Sequence, residues 1–168
     1  MGGRTTLSSE PRFGEDYDHH FHEYTYADGT KMYSQSRTLN GVWSPITEHI
    51  HGDQGVLDLN GKIMKINEMG RRERTNPYHK EWEDLIHAIW NDERYNEGWF
   101  GTTSSFSGVL GREASYCGQV VKWDELAAKG PDLFPKGEFT WETRPPVLPD
   151  EQGSYEHAVA LPGIYRPY

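Results

Sequence analysis

Gly111-Arg112-Glu113-Ala114-Ser115-Tyr116-Cys117-Gly118-Gln119-Val120-Val121-Lys122-Trp123-Asp124-Glu125 is the stretch on which the architecture turns. Leading into it, Phe106, Val109, Leu110 and Ala114 recur at helical spacing and predict a helix from about Thr102 to Cys117 with one apolar face. Gly118 supplies the left-handed residue at which helices commonly stop. Gln119 to Trp123 then reads as a short apolar strand.

A second helix is written upstream. Asn76 can cap free amides and Pro77 fits the first helical position, where no N–H is needed. Trp82, Leu85, Ile86, Ile89 and Trp90 follow as one apolar stripe, which requires a partner surface. The natural partner is a sheet, and the front of the chain predicts one. Two aromatic-rich runs between His20 and Arg37 flank Ala27-Asp28-Gly29-Thr30, a strong hairpin signal. A further strand is expected from Ile46 to His51, turning at Gly52-Asp53-Gln54-Gly55 into Val56-Leu57-Asp58-Leu59. Asn60-Gly61 reads as a type I′ turn leading into Lys62-Ile63-Met64-Lys65-Ile66, for four or five antiparallel strands in all.

Seven of the ten prolines lie between Pro131 and Tyr168, so regular structure is not expected there. Phe134, Phe139, Trp141, Tyr155, Leu161 and Tyr165 punctuate that stretch, which suits an extended arm laid on a surface. Strands, then helices, then arm give an α+β fold: a mostly antiparallel sheet with two helices packed on one face and an extended Pro-rich C-terminal arm. The expected division is an α+β domain over 1–130 and the arm over 131–168, packed on the same domain.

A chain of 168 residues holds one domain with a real core. Its hydrophobic fraction of 35% is low, but six Trp, ten Tyr and six Phe supply large buried surfaces from few residues. A formal net charge of −9 offers no basis for gripping phosphate backbones, which argues against nucleic acid as a partner. No apolar run is long enough to span a membrane, and Met1-Gly2-Gly3-Arg4-Thr5-Thr6 lacks the apolar core of a signal peptide, so cytoplasmic is the default expectation. Cys117 is the single cysteine; no internal disulfide can form, and its place near a helix end predicts a small buried residue.

The opening stretch, read with Tyr17-Asp18-His19-His20-Phe21, Ala27-Asp28-Gly29-Thr30 and His51-Gly52-Asp53-Gln54-Gly55, resembles the C-terminal domain of the Gfo/Idh/MocA oxidoreductases, the relatives of glucose-fructose oxidoreductase and inositol dehydrogenase. The resemblance covers nearly the whole chain but only the second half of a family member. Intact members begin with a dinucleotide-binding domain that carries NAD or NADP, and contain a Glu-Lys-Pro segment with a catalytic lysine. No GxGxxG and no Glu-Lys-Pro occurs here. The resemblance thus implies a substrate-binding and oligomerisation domain of an NAD(P)-dependent oxidoreductase acting on a sugar or cyclitol, inactive alone. It implies a chain that starts inside a longer ancestral gene, with catalytic residues and any export signal upstream of residue 1, so no catalytic residue is carried onto this sequence. It also implies that the open sheet face meets a neighbouring subunit or lines the substrate site, hence a homo-oligomer. The alternative is a stand-alone carbohydrate-binding or accessory assembly module.

Tyr17-Asp18-His19-His20-Phe21-His22-Glu23 is the densest chemical constellation. On a strand His20 and His22 share a face, and with His49 and His51 on a neighbouring strand four imidazoles could converge on a metal. The spacing departs from a cupin pattern, because Glu23 follows His22 directly and a turn follows His51. Hydrogen-bonding or substrate-contact roles are the competing reading. The resemblance places Tyr17, His19 and His20 near a sugar-like ligand. Arg37, Trp43, Glu48 and His49 form a second set, offering donors, acceptors and an aromatic face to a sugar ring, against a plainer reading of rim packing and a solvated ion pair.

Overall fold

The computed structural model describes residues 1–5, 11–58, 76–134, 136–145, 147–155 and 159–168. In chain order its elements are β1 (Gly2–Gly3), a 3-10 turn (Pro11–Phe13), β2 (His19–Thr25), β3 (Lys31–Arg37), β4 (His49–Gly52), β5 (Gly55–Asp58), α1 (Pro77–Trp90), α2 (Gly98–Cys117) and α3 (Trp123–Lys129). This is the α+β class expected of the sequence, with antiparallel pairing throughout the described strands. The expected Asn60-Gly61 turn and the strand after it lie outside the described residues. None of the described helices is long and apolar enough to cross a membrane.

The chain divides into two compact units, one of Met1–Gly41 with Phe100–Tyr168 and the other of Val42–Trp99. The first unit is built on the Asp28-Gly29 hairpin. β2 and β3 pair from His19 opposite Arg37 to Thr25 opposite Lys31. At the turn Gly29 N–H donates to the Tyr26 carbonyl and Tyr26 N–H to the Thr30 carbonyl, each at 2.9 Å. The Asp28 carboxylate accepts from the Thr30 N–H at 2.9 Å. Gly29 takes a φ of 87°, the left-handed residue that closes a three-residue hairpin loop. β1 adds to the other edge of β2, Gly2 opposite His20.

α2 lies on one face of this three-stranded sheet. Gly111 lets it approach closely, since a Cβ there would stand 2.2 Å from the Tyr24 hydroxyl and 2.9 Å from His22 Nδ1. Gly118, at a φ of 69°, ends the helix as expected and donates to the Ala114 carbonyl at 3.0 Å. The strand expected over Gln119 to Trp123 is absent. Val120 and Val121 have no partner strand among the described residues, and the chain instead enters α3. Asp124 and Glu125 in its first turn and Lys129 in its last oppose the helix dipole favourably. Trp123 meets Phe106 edge-on at 4.6 Å, and Leu126 is buried.

The end of the Pro-rich arm is tied to this unit. Ala160 is buried, Gly163 N–H donates to the Cys117 carbonyl at 2.8 Å, and Tyr165 stands edge-on to Tyr116 at 5.7 Å. Cys117 is buried, as its position predicted.

The second unit holds the β4–β5 hairpin, turning at Asp53-Gln54 with Gly52 opposite Gly55, and α1. The strand expected to open at Ile46 begins at His49, and β4–β5 forms a separate two-stranded sheet instead of extending the first one. α1 starts as the sequence dictates, the Asn76 side chain accepting from Tyr78 N–H at 3.0 Å with Pro77 next. Trp82, Leu85, Ile86, Ile89 and Trp90, which make up its apolar stripe, are all exposed.

Candidate functional site

The two faces of the β1–β2–β3 sheet have different chemistry because residues alternate along a strand. His20, His22 and Tyr24 point toward α2. His20 Nδ1 lies 3.1 Å and His22 Nε2 2.8 Å from the same Ser115 hydroxyl oxygen. That hydroxyl also reaches the Met1 carbonyl at 3.4 Å. Tyr24 donates to the Ser107 carbonyl at 2.9 Å. Burial holds both imidazoles below the usual histidine range, and the neighbouring imidazole, His19 for His20 and His20 for His22, pushes the same way. Ser115 is 1% exposed, so this group joins helix to sheet and offers no reachable nucleophile.

His19, Phe21 and Glu23 point to the opposite, open face, beside Tyr33, Gln35 and Arg37 across the hairpin. Phe21 and Tyr33 are stacked, with ring centroids 6.2 Å apart and planes 29° apart. Lys31 pairs with Glu23 at 2.5 Å at the turn end. At the other end His19 Nδ1 is 2.7 Å from Asp18 Oδ1, and that carboxylate is buried, its second oxygen accepting from Thr5 N–H at 2.8 Å. The face is therefore an aromatic strip with ionic and hydrogen-bonding groups at both ends.

Of the residues expected to contact a ligand, the structure sets only His19 and Arg37 on this open face. His20 is turned to Ser115. Tyr17 packs at 4.7 Å against Tyr116 and donates its hydroxyl to the Ala160 carbonyl at 2.6 Å, an anchor for the arm, and burial raises its pKa. Trp43, Glu48 and His49 belong to the other unit, where all three are exposed. His20 and His22 belong to the first unit and His49 and His51 to the other. Among the described residues no group of three or more His, Cys, Asp or Glu is placed to hold a metal ion.

Two features of the site region were not anticipated from the sequence. The Phe21–Tyr33 pair was readable from alternation across the hairpin, once Asp28-Gly29 fixes the register. Glu113 is 2% exposed, accepting from Arg112 at 2.7 Å and from the Tyr165 hydroxyl at 2.8 Å. Its signal was an acid at core spacing, three residues after Leu110 and four before Cys117. A half-open depression of about 410 Å³, lined by Cys117, Gln119, Val120, Val121, Arg166, Pro167 and Tyr168, includes none of the expected site residues. The described strands include no parallel pair. No family model, no curated protein and no solved structure matches the chain.

Proposed function

We propose that this chain is a carbohydrate-binding assembly domain of the kind found in the second half of Gfo/Idh/MocA-type oxidoreductases, taking a sugar or cyclitol on the open face of its three-stranded sheet and transferring no hydride alone. The observation that carries this reading is the composition of that face. A pyranose or cyclitol ring presents C–H surfaces that pack on aromatic rings and hydroxyls that need donors and acceptors, and Phe21–Tyr33 with His19, Gln35 and Arg37 supplies both. NAD or NADP belongs, on this reading, to a separate dinucleotide-binding domain.

The test is calorimetric titration of the purified chain with myo-inositol and glucose, with absorbance at the reduced-nicotinamide band read in parallel after adding NAD or NADP. Binding without cofactor reduction is expected. Cofactor reduction by the chain alone, or no binding of either compound, contradicts the proposal.

A second reading, an accessory module that docks on a separate catalytic chain, is favoured by the exposed stripe of α1. Light scattering behind size exclusion separates the two: a dimer or tetramer supports self-assembly, and a monomer that also binds no sugar favours docking on another chain.

A further inference from the structure

We infer that Asp18 and His19 form a fixed hydrogen-bond-accepting pair that selects a hydroxyl of the ligand, with Gly3 keeping the accepting nitrogen open; this rests on the open-face reading above. Asp18 opens β2 with its carboxylate turned inward, where Thr5 holds it through N–H to Oδ2 at 2.8 Å and through Oγ to Oδ1 at 3.3 Å. An ionised carboxylate only accepts, so the His19 nitrogen 2.7 Å away must carry the proton. In the neutral ring the lone pair is then at Nε2, pointing away from Asp18 on a side chain that is 40% exposed. This is the way a carboxylate fixes the tautomer of a working imidazole elsewhere.

The neighbouring strand shows the space around that nitrogen. A Cβ on Gly3 would stand 3.3 Å from His19 Cε1 and 3.4 Å from Nε2, on the edge of the ring that Asp18 leaves free. Glycine at position 2 is explained by packing, because a Cβ there would press on the His19 carbonyl and on Ser115. Position 3 meets only the imidazole. Arg37, opposite His19 in the register, lies at the same end of the face. Asp18 is here a positioning residue, and His19 the one that touches ligand.

The experiment uses the full chain, with myo-inositol and glucose as probes. Calorimetry compares wild type, His19→Phe and Gly3→Ala, and imidazole ¹⁵N spectra compare wild type with Asp18→Asn. The expected results are a roughly tenfold weaker binding in both binding variants, the worth of one good hydrogen bond. The wild-type His19 spectrum should show a single tautomer protonated at Nδ1, and Asp18→Asn should mix the two tautomers. Gly3→Ala is the safeguard if His19→Phe disturbs the strand. Undiminished sugar binding in both His19→Phe and Gly3→Ala overturns the inference while leaving the open-face reading intact. No binding by wild type overturns that reading and this inference with it.

Discussion

Replacing Gly111 by Ala should destabilise the protein although alanine is the better helix former. An exposed Gly→Ala change inside a helix gains about 1 kcal/mol. At position 111 the added Cβ would stand 2.2 Å from the Tyr24 hydroxyl, 2.9 Å from His22 Nδ1 and 3.0 Å from His22 Cε1. Neither ring can swing away freely, because Tyr24 is bonded to the Ser107 carbonyl at 2.9 Å and His22 to Ser115 at 2.8 Å. Inserting a methyl into such a contact costs about 1–3 kcal/mol, and breaking the tyrosine bond adds about 1 kcal/mol. Less the helical gain, the net loss is about 1–3 kcal/mol, several degrees in Tm. Gly108→Ala, in the same helix with nothing near its would-be Cβ, should instead gain up to about 1 kcal/mol. Thermal and urea melts followed by circular dichroism measure both. If Gly111→Ala melts at or above wild type, α2 does not rest on β2 as described.

Stability should fall on acidification just below pH 6.5. The folded state holds His20 and His22 below their ordinary value of about 6.5, so the unfolded chain binds protons first and stability is lost as pH drops from there toward the folded pKa values. Urea midpoints from pH 8 to 5 test this, and His20→Gln with His22→Gln should flatten the curve. Tyr165→Phe removes a hydrogen bond to the buried Glu113 carboxylate and should cost about 1.5 kcal/mol in the same melts, whereas a neutral result would mean the arm is not anchored there. Ile89→Glu should shift the solution mass toward monomer without lowering Tm, since Ile89 is 68% exposed within the chain; an unchanged oligomer would remove α1 from any interface.

Local chemistry was the legible part of this sequence. Asp28-Gly29, Asn76-Pro77 and Gly118 each fix a backbone conformation through one or two residues, and each stands where the sequence placed it. α3 was not anticipated, the expectation at Gln119 to Trp123 being a strand suggested by Val120 and Val121, although Asp124, Glu125, the Ala127-Ala128 pair and Lys129 carry the dipole pattern and propensity of a helix. β1 was invisible for a physical reason: Gly2-Gly3 has little strand propensity, and at position 2 only glycine can sit so close to Tyr17 and Ser115. The candidate ligand set divides between the two units, because spacing along a chain does not say which strands adjoin. His19 and Arg37 are brought together by a hairpin whose register the turn fixes, whereas His49 pairs with Asp58 in another sheet.

The most direct test of the account is a two-dimensional NMR titration of the chain with myo-inositol and then glucose. The account predicts shifts concentrated at His19, Phe21, Tyr33, Gln35 and Arg37, with His20 and His22 moving less because they face α2. Saturable shifts confined to Trp43, Glu48 and His49, or no shift with either compound, would contradict it.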